Sequence, residues 1–523
     1  MDYVDRFANK LNFKKILILA AVFFFLLSTY SHSDIKLSSL FADNMVLQQG
    51  IDIPIWGKAA PGENVSVVLR KKQVSTSADS FGNWKVHLPP LQAGGPYIIE
   101  IKGNNNIKIK NVKIGEVWIC SGQSNMVMKV KESLNASNEI AEAKYPDISL
   151  FTVEPVISGV TLKEVKGKWS VCKPSTAAEF SGVGYFFARD IFKKINTPIG
   201  IISSSWGGTD ITQWMDRKLL NSNPEFKKKK DTLLKMRKNY LKKMAVYKSE
   251  LAVWKQNVKE AKDQGKEIPL EPKEPYATIE LFRLPSGQYY GMIFPIIPYA
   301  IRGVIWFQGG SDRYEGYPYR HRFPAMIKSW RESWGQGNFP FLFVQLPNMK
   351  EWGKTLSPRV MPEVRESQLV TLYHTTNTAM AVTIDIGDGT PHAPNKQDVA
   401  NRLALCALGM VYKKDVKYFS PLYKSKKNEV DKIRIFFSYS FKGLKTKNNL
   451  PLSGFEIAGE NQIFFKAKAI IEKDSVLVWS DKVSNPVAVR YGWLDNPVCN
   501  LYNSEDLPAS PFRTDNWKLI TQK

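Results

Sequence analysis

Between residues 34 and about 113, apolar and polar positions alternate in short runs: NMVLQQ, DIPIWGKA, NVSVVLR, WKVHLPPL, YIIEIKG and IKIKNVKIG. Turn-forming stretches, among them AAPGEN, DSFGNW, QAGGP and GNNN, interrupt them. Period-two alternation broken by Gly, Pro and Asn predicts a small antiparallel β-sandwich. From residue 114 the pattern changes. Five strongly apolar runs appear: EVWIC (116–120), IGIISSS (199–205), RGVIWFQ (302–308), FPFLFVQL (339–346) and AMAVTID (379–385). Stretches of helical spacing at 183–195, 319–334 and 397–413 lie between and after them. Fully apolar strands alternating with helices predict an α/β fold with a parallel sheet covered on both faces. Alternation returns beyond about residue 415, in KIRIFFSYS, GFEIAG, IFFKAKAIIEKDSVLVWS and PVAVRYGW. The expected organisation is a β-sandwich over 34–113, an α/β domain over 114–415 and a C-terminal β region over 416–523.

Two segments stand outside this scheme. Lys14 and Lys15 precede a 12-residue apolar run, Ile16 to Leu27, which is followed by STYSHSD. The run is shorter than the roughly 20 residues of a spanning helix. A basic flank, a short apolar core and the small residues Ser31 and Ser33 predict a secretory signal over 1–33. The mature chain is then secreted or periplasmic, with no stable membrane span. The second segment, 216–275, reads as a helical insertion. Leu233, Leu234, Tyr240, Leu241, Met244, Tyr247, Leu251 and Trp254 recur at helical spacing within it.

Composition adds little until charge is placed along the chain. The 523 residues are 43% hydrophobic and 23% charged, as in folded multidomain proteins. Net charge is +24. Much of the excess lies between Arg217 and Lys273, with 17 Lys/Arg against 7 Asp/Glu. Concentrated on one helix, it reads as a solvated basic face, not a nucleic-acid surface. Cys120, Cys172, Cys406 and Cys499 show no metal-ligand spacing, and no metal site is predicted.

The candidate chemistry lies where the apolar runs end. Their tails read SGQS, WGGTD, GGSD, PNMK and IGDGTPH. Ligand sites of open α/β sheets form at the carboxyl ends of the strands. Ser124, at a strand-to-helix turn, is a candidate nucleophile, with Ser121 the second candidate. A serine needs a base. His87 falls in the sandwich, His321 in a helix and His374 in a polar connection, whereas His392 follows the fifth run directly. Asp388 could orient it, and Asp385 is the alternative. Oxyanion donors are the Ser124 N–H, a Gly207 or Gly208 N–H and the Gln308 amide.

GEVWICSGQSNM, IGIISSSWGGTDITQWM, PSGQYYGMIFPIIPYAIRGVIWFQGGSD, FPFLFVQLPN and DIGDGTPHAPNKQDVANRLAL together resemble the sialate O-acetylesterase family of SGNH-type hydrolases. The resemblance spans nearly the whole mature chain. It implies a flavodoxin-like α/β/α domain flanked by β regions, and removal of O-acetyl groups from an acetylated carbohydrate without metal or cofactor. It implies Ser124 as nucleophile, His392 as base, and Gly207 and Gln308 at the oxyanion. Two positions depart from the family pattern. Relatives carry an acid where this chain has Gly310, in a motif that Asp312 closes, and commonly an aspartate where it has Thr390. Both departures touch candidate orienters of His392, so Asp388, Asp312 or a Ser-His dyad remain open. The family name leaves xylan- or pectin-type substrates open as well. Outside enzymes, the rival is a glycan-binding protein using Trp206, Trp214, Trp306 and Trp352 as stacking surfaces.

Overall fold

The computed structural model describes residues 34–274, 284–350 and 359–522. The expected signal segment, Trp352 and the end of the basic insertion at residue 275 lie outside these. The chain forms two compact units. The smaller contains residues 34–37, Ile55–Leu88 and Ile98–Lys108. Here Asn64–Leu69 pairs antiparallel with Lys72–Ser77 and with Ile99–Lys102. A second sheet orders Lys36–Leu37, Ile53–Lys58 and Asn83–Leu88. Alternation sends Val65, Val67 and Leu69 inward with Trp84, Val86 and Leu88, while His87 stays exposed.

The larger unit takes Ser38–Pro54, Pro89–Tyr97 and everything from Ile109 onward. The run NMVLQQ goes with this unit, because Val46–Gln48 pairs in parallel with Lys113–Gly115. Its main sheet is built from β1 (Asn106–Gly122, of which the part from Ile109 onward belongs to this unit), β2 (Tyr145–Thr152), β3 (Trp169–Cys172), β4 (Ile199–Ser205), β5 (Gly303–Phe307), β6 (Phe341–Gln345) and β7 (Thr378–Val382). The spatial order is β3-β2-β4-β1-β5-β6-β7. All neighbours are parallel except β3 on β2. Without the β2–β3 edge the order is 2-1-3-4-5, that of a doubly wound sheet. Every residue of β5, β6 and β7 is buried, as their unbroken apolar runs require.

Six helices matter to the site and its frame: α1 (Ser124–Val127), α2 (Gly182–Ile195), α3 (Pro224–Asp263), α4 (Gly316–Trp334), α5 (Met361–His374) and α6 (Lys396–Cys406). His374 therefore ends a helix and does not lie in a polar connection. The expected helix over 397–413 stops being α-helical at Cys406 and continues as one wide π turn, Ala407–Val411. The long helix α3 is less amphipathic than its spacing suggests. Phe226, Leu233 and Tyr240 form a narrow buried seam at its start, while Leu234 and Leu241 are exposed. Beyond Tyr240 only Ala261 is buried in it.

The C-terminal strands form two four-stranded sheets and a two-stranded ribbon. Ile433, Ile435, Val476 and Val478 of one sheet share a core with Phe455, Ile457, Val489 and Tyr491 of the other. Among the described residues no helix is long and apolar enough to cross a membrane.

Candidate active site

The site begins where β1 ends. Gly122 has φ +136°, and a Cβ there would lie 2.2 Å from the Phe307 carbonyl oxygen. Only glycine fits this turn. The Gln123 N–H then donates to that same Phe307 oxygen at 3.0 Å, fastening the turn to the end of β5. Ser124 opens α1, so its N–H is one of the first-turn donors that a helix cannot satisfy internally. Its Oγ lies 2.7 Å from His392 Nε2, although the two residues are 268 positions apart in the chain. The first and fifth tails thus meet at the carboxyl edge of the sheet. Ser121, by contrast, is fully buried, and among the described residues its hydroxyl has no hydrogen-bond partner.

Burial holds the half-buried His392 imidazole below the ordinary histidine range. The positive charge of Lys396 adds to this, and Glu132 opposes it. The lowered value favours the neutral ring, the form that can accept a proton.

The second tail is brought beside the serine. A Cβ on Gly207 would lie 3.4 Å from Ser124 Cβ, so Gly207 packs directly on the nucleophile candidate. Gly208 makes the turn, with φ +73°.

Gln308, at the end of the third run, is held by other partners. It is fully buried, and both hydrogens of its amide are committed: Nε2 donates to Thr209 O at 3.1 Å and to Asp312 Oδ2 at 2.6 Å. Its Oε1 accepts from the Tyr319 hydroxyl at 3.0 Å. In this arrangement no amide hydrogen is left over for an oxyanion.

Asp388 is bonded within its own loop. Its Oδ1 accepts from the Thr390 N–H at 2.8 Å and the Thr390 hydroxyl at 2.6 Å. The carboxylate closes a local turn, as Asp commonly does in loops. The alternatives are engaged elsewhere too. Asp385 is bonded by both Arg402 terminal nitrogens and the Tyr502 hydroxyl. Asp312 accepts from Gln308 and from the Ile211 N–H, and burial beside Asp210 raises its carboxyl to about 7.

Three residues at the site carry no role by sequence reasoning. Gln123 Oε1 accepts from the Gly309 N–H at 3.2 Å and the Ser311 N–H at 3.4 Å, tying the first tail to the third. Its Nε2 lies 3.2 Å from where a Gly310 Cβ would stand, the position that departs from the family pattern. Asn125 and Lys396 lie between Ser124 and the His392 loop. The available signal was the pair of amides flanking the serine in GQSN. Trp214 and Trp306 are fully buried and meet edge-to-face, with ring centroids 5.8 Å apart. They are core, not stacking surfaces.

A serine hydroxyl bonded to an imidazole, with a helix-initial N–H beside it, is the geometry of an acyl-transfer site. Comparison with known proteins narrows this class. Residues 114–266 and 289–406 match the family described as carbohydrate esterase, sialic acid-specific acetylesterase. The chain is 28% identical to human sialate O-acetylesterase, covering 91% of this chain and 92% of that protein. It is 29% identical to the mouse enzyme, covering 91% and 94%. A crystal structure of a carbohydrate acetylesterase from Xanthomonas citri superposes with a TM-score of 0.79 and 34% identity, over 92% of this chain and all of that one. The chain belongs to this family of carbohydrate esterases.

Proposed function

We propose that the protein removes O-acetyl groups from sugars, as a sialate O-acetylesterase, through a serine nucleophile and an acetyl-enzyme. The observation that carries this reading is the 2.7 Å contact between Ser124 Oγ and His392 Nε2. Ser124 Oγ attacks the acetyl carbonyl as its proton passes to His392. The oxyanion that forms is held by the Ser124 N–H and the Gly207 N–H. His392 then protonates the departing sugar oxygen. Water, deprotonated by the same imidazole, attacks the acetyl-serine and releases acetate. We read the sheet as the flavodoxin-like core of an SGNH-type hydrolase. The 2-1-3-4-5 order, with serine after the first of these strands and histidine after the last, supports that reading. The apolar N-terminal run behind Lys14 and Lys15 supports secretion or a periplasmic location.

The test is acetate release from O-acetylated sialosides, O-acetylated xylan and O-acetylated pectin, side by side with a generic aryl acetate. Sialoside turnover well above the polysaccharides supports the reading. Preference for xylan or pectin keeps the esterase and overturns the sialate assignment. No acetate from any substrate overturns both.

A further inference from the structure

Lys396 is 2% exposed, although an ammonium ion is among the costliest groups to bury. It is also the first residue of α6, where the helix's positive end disfavours a cation. Strong compensating contacts hold it there. Its Nζ donates to Asn125 Oδ1 and to the Ala393 carbonyl, each at 2.6 Å, and faces the Phe307 ring, 5.9 Å from its centroid. Asn125 in turn donates through Nδ2 to the Pro391 carbonyl at 2.9 Å. The two carbonyls held are those immediately before and after His392. The side chain that joins them belongs to the residue immediately after Ser124.

We propose that Lys396 and Asn125 form a clamp that positions His392 on Ser124, gripping both flanks of the histidine from the nucleophile's own turn. The inference rests on the reading of Ser124 and His392 as nucleophile and base. Neither clamp residue touches substrate in this account; both act through His392. The clamp fixes the backbone on both sides of His392, while Asp388 Oδ1 is turned onto Thr390.

The charge of Lys396 has a second effect. The groups that face it are Asp388 and His392 from the preceding loop, Glu132 from the turn after α1, Asn125 of α1 and the Phe307 ring at the end of β5. The start of α2 packs on its stem at Gly182. Burial pulls the Lys396 ammonium down to about 8, while Asp388 and Glu132 act to raise it. It remains a cation at neutral pH, and its charge disfavours a second cation on His392.

The test uses the full chain and an aryl acetate. Lys396→Met keeps the stem and removes the donors and the charge. Its kcat should fall by about tenfold or more with KM little changed, and the acid limb of its kcat/KM profile should move to higher pH. Lys396→Arg, which keeps the charge, should leave the acid limb near its wild-type position. Asn125→Ala should lower kcat while the acid limb stays in place, since Lys396 remains. A Lys396→Met enzyme with wild-type kcat and an unmoved acid limb overturns the clamp. Should that variant fail to fold, Asn125→Ala decides: turnover within twofold of wild type overturns the proposal, and a loss of about tenfold or more supports it. Wild type and Ser124→Ala are measured in the same series. An inactive wild type sinks the esterase reading, whereas an active wild type with fully active clamp variants sinks only the clamp.

Discussion

Gln308 Nε2 donates to Asp312 Oδ2 at 2.6 Å inside the protein, and its second amide hydrogen goes to the Thr209 carbonyl at 3.1 Å. Truncating Gln308 to Ala would strip a partner from Asp312, Thr209 and Tyr319, all buried. The expected result is a stability loss of about 1–3 kcal/mol, the cost of unsatisfied buried polar groups. Turnover of the folded variant should stay within about tenfold of wild type. Denaturant unfolding together with kcat on an aryl acetate checks this. A kcat loss of about 10²–10³ at unchanged stability would make Gln308 an oxyanion donor after all.

Asp388→Asn should be mild. The residue is exposed and its carboxylate oxygen is bonded to Thr390. An asparagine oxygen can accept the same two bonds. Steady-state kcat should remain within about tenfold of wild type, against the roughly 10⁴ that loss of a triad aspartate costs. A loss approaching that larger figure would place Asp388 on His392 during turnover.

The pH profile follows from His392. Its folded value is lowered, by burial first and the Lys396 charge second. A protonated imidazole cannot take the serine proton, so activity is lost as pH falls through that lowered value. The acid limb of kcat/KM should therefore lie below about 6.5, the ordinary histidine value. A limb clearly above it would mean that Glu132 or another acid dominates the site.

Much of this was visible along the chain, and the failures have physical causes. Runs 199–205, 302–308, 339–346 and 379–385 mark β4 to β7 to within a few residues, because strands buried on both faces must be apolar throughout. Ser124 and His392 stood out because each closes such a run. Helix α5 was invisible. Five of its nine buried residues are polar: Glu363, Arg365, Ser367, Gln368 and Thr371. Arg365 alone donates to the carbonyls of Leu346, Pro347, Leu494 and Asp495. A helix held in this way shows no apolar period to find. The hydrogen-bond partners of Asp388 and Gln308 are hidden in the sequence for a related reason. Position at a sheet edge says where a side chain starts, not which neighbour its polar atoms satisfy. Lys396 was missed because a lysine at a helix start reads as exposed unless its partners are known.

The account stands on Ser124 as the atom that becomes acetylated, and rapid quenching of a single turnover with an aryl acetate, followed by peptide mass mapping, measures this directly. The expected result is one acetyl group on the peptide containing Ser124, absent from Ser124→Ala, which should fold normally and release essentially no acetate. An acetyl group found on Ser121 or elsewhere, or a Ser124→Ala enzyme that still turns over, would contradict it.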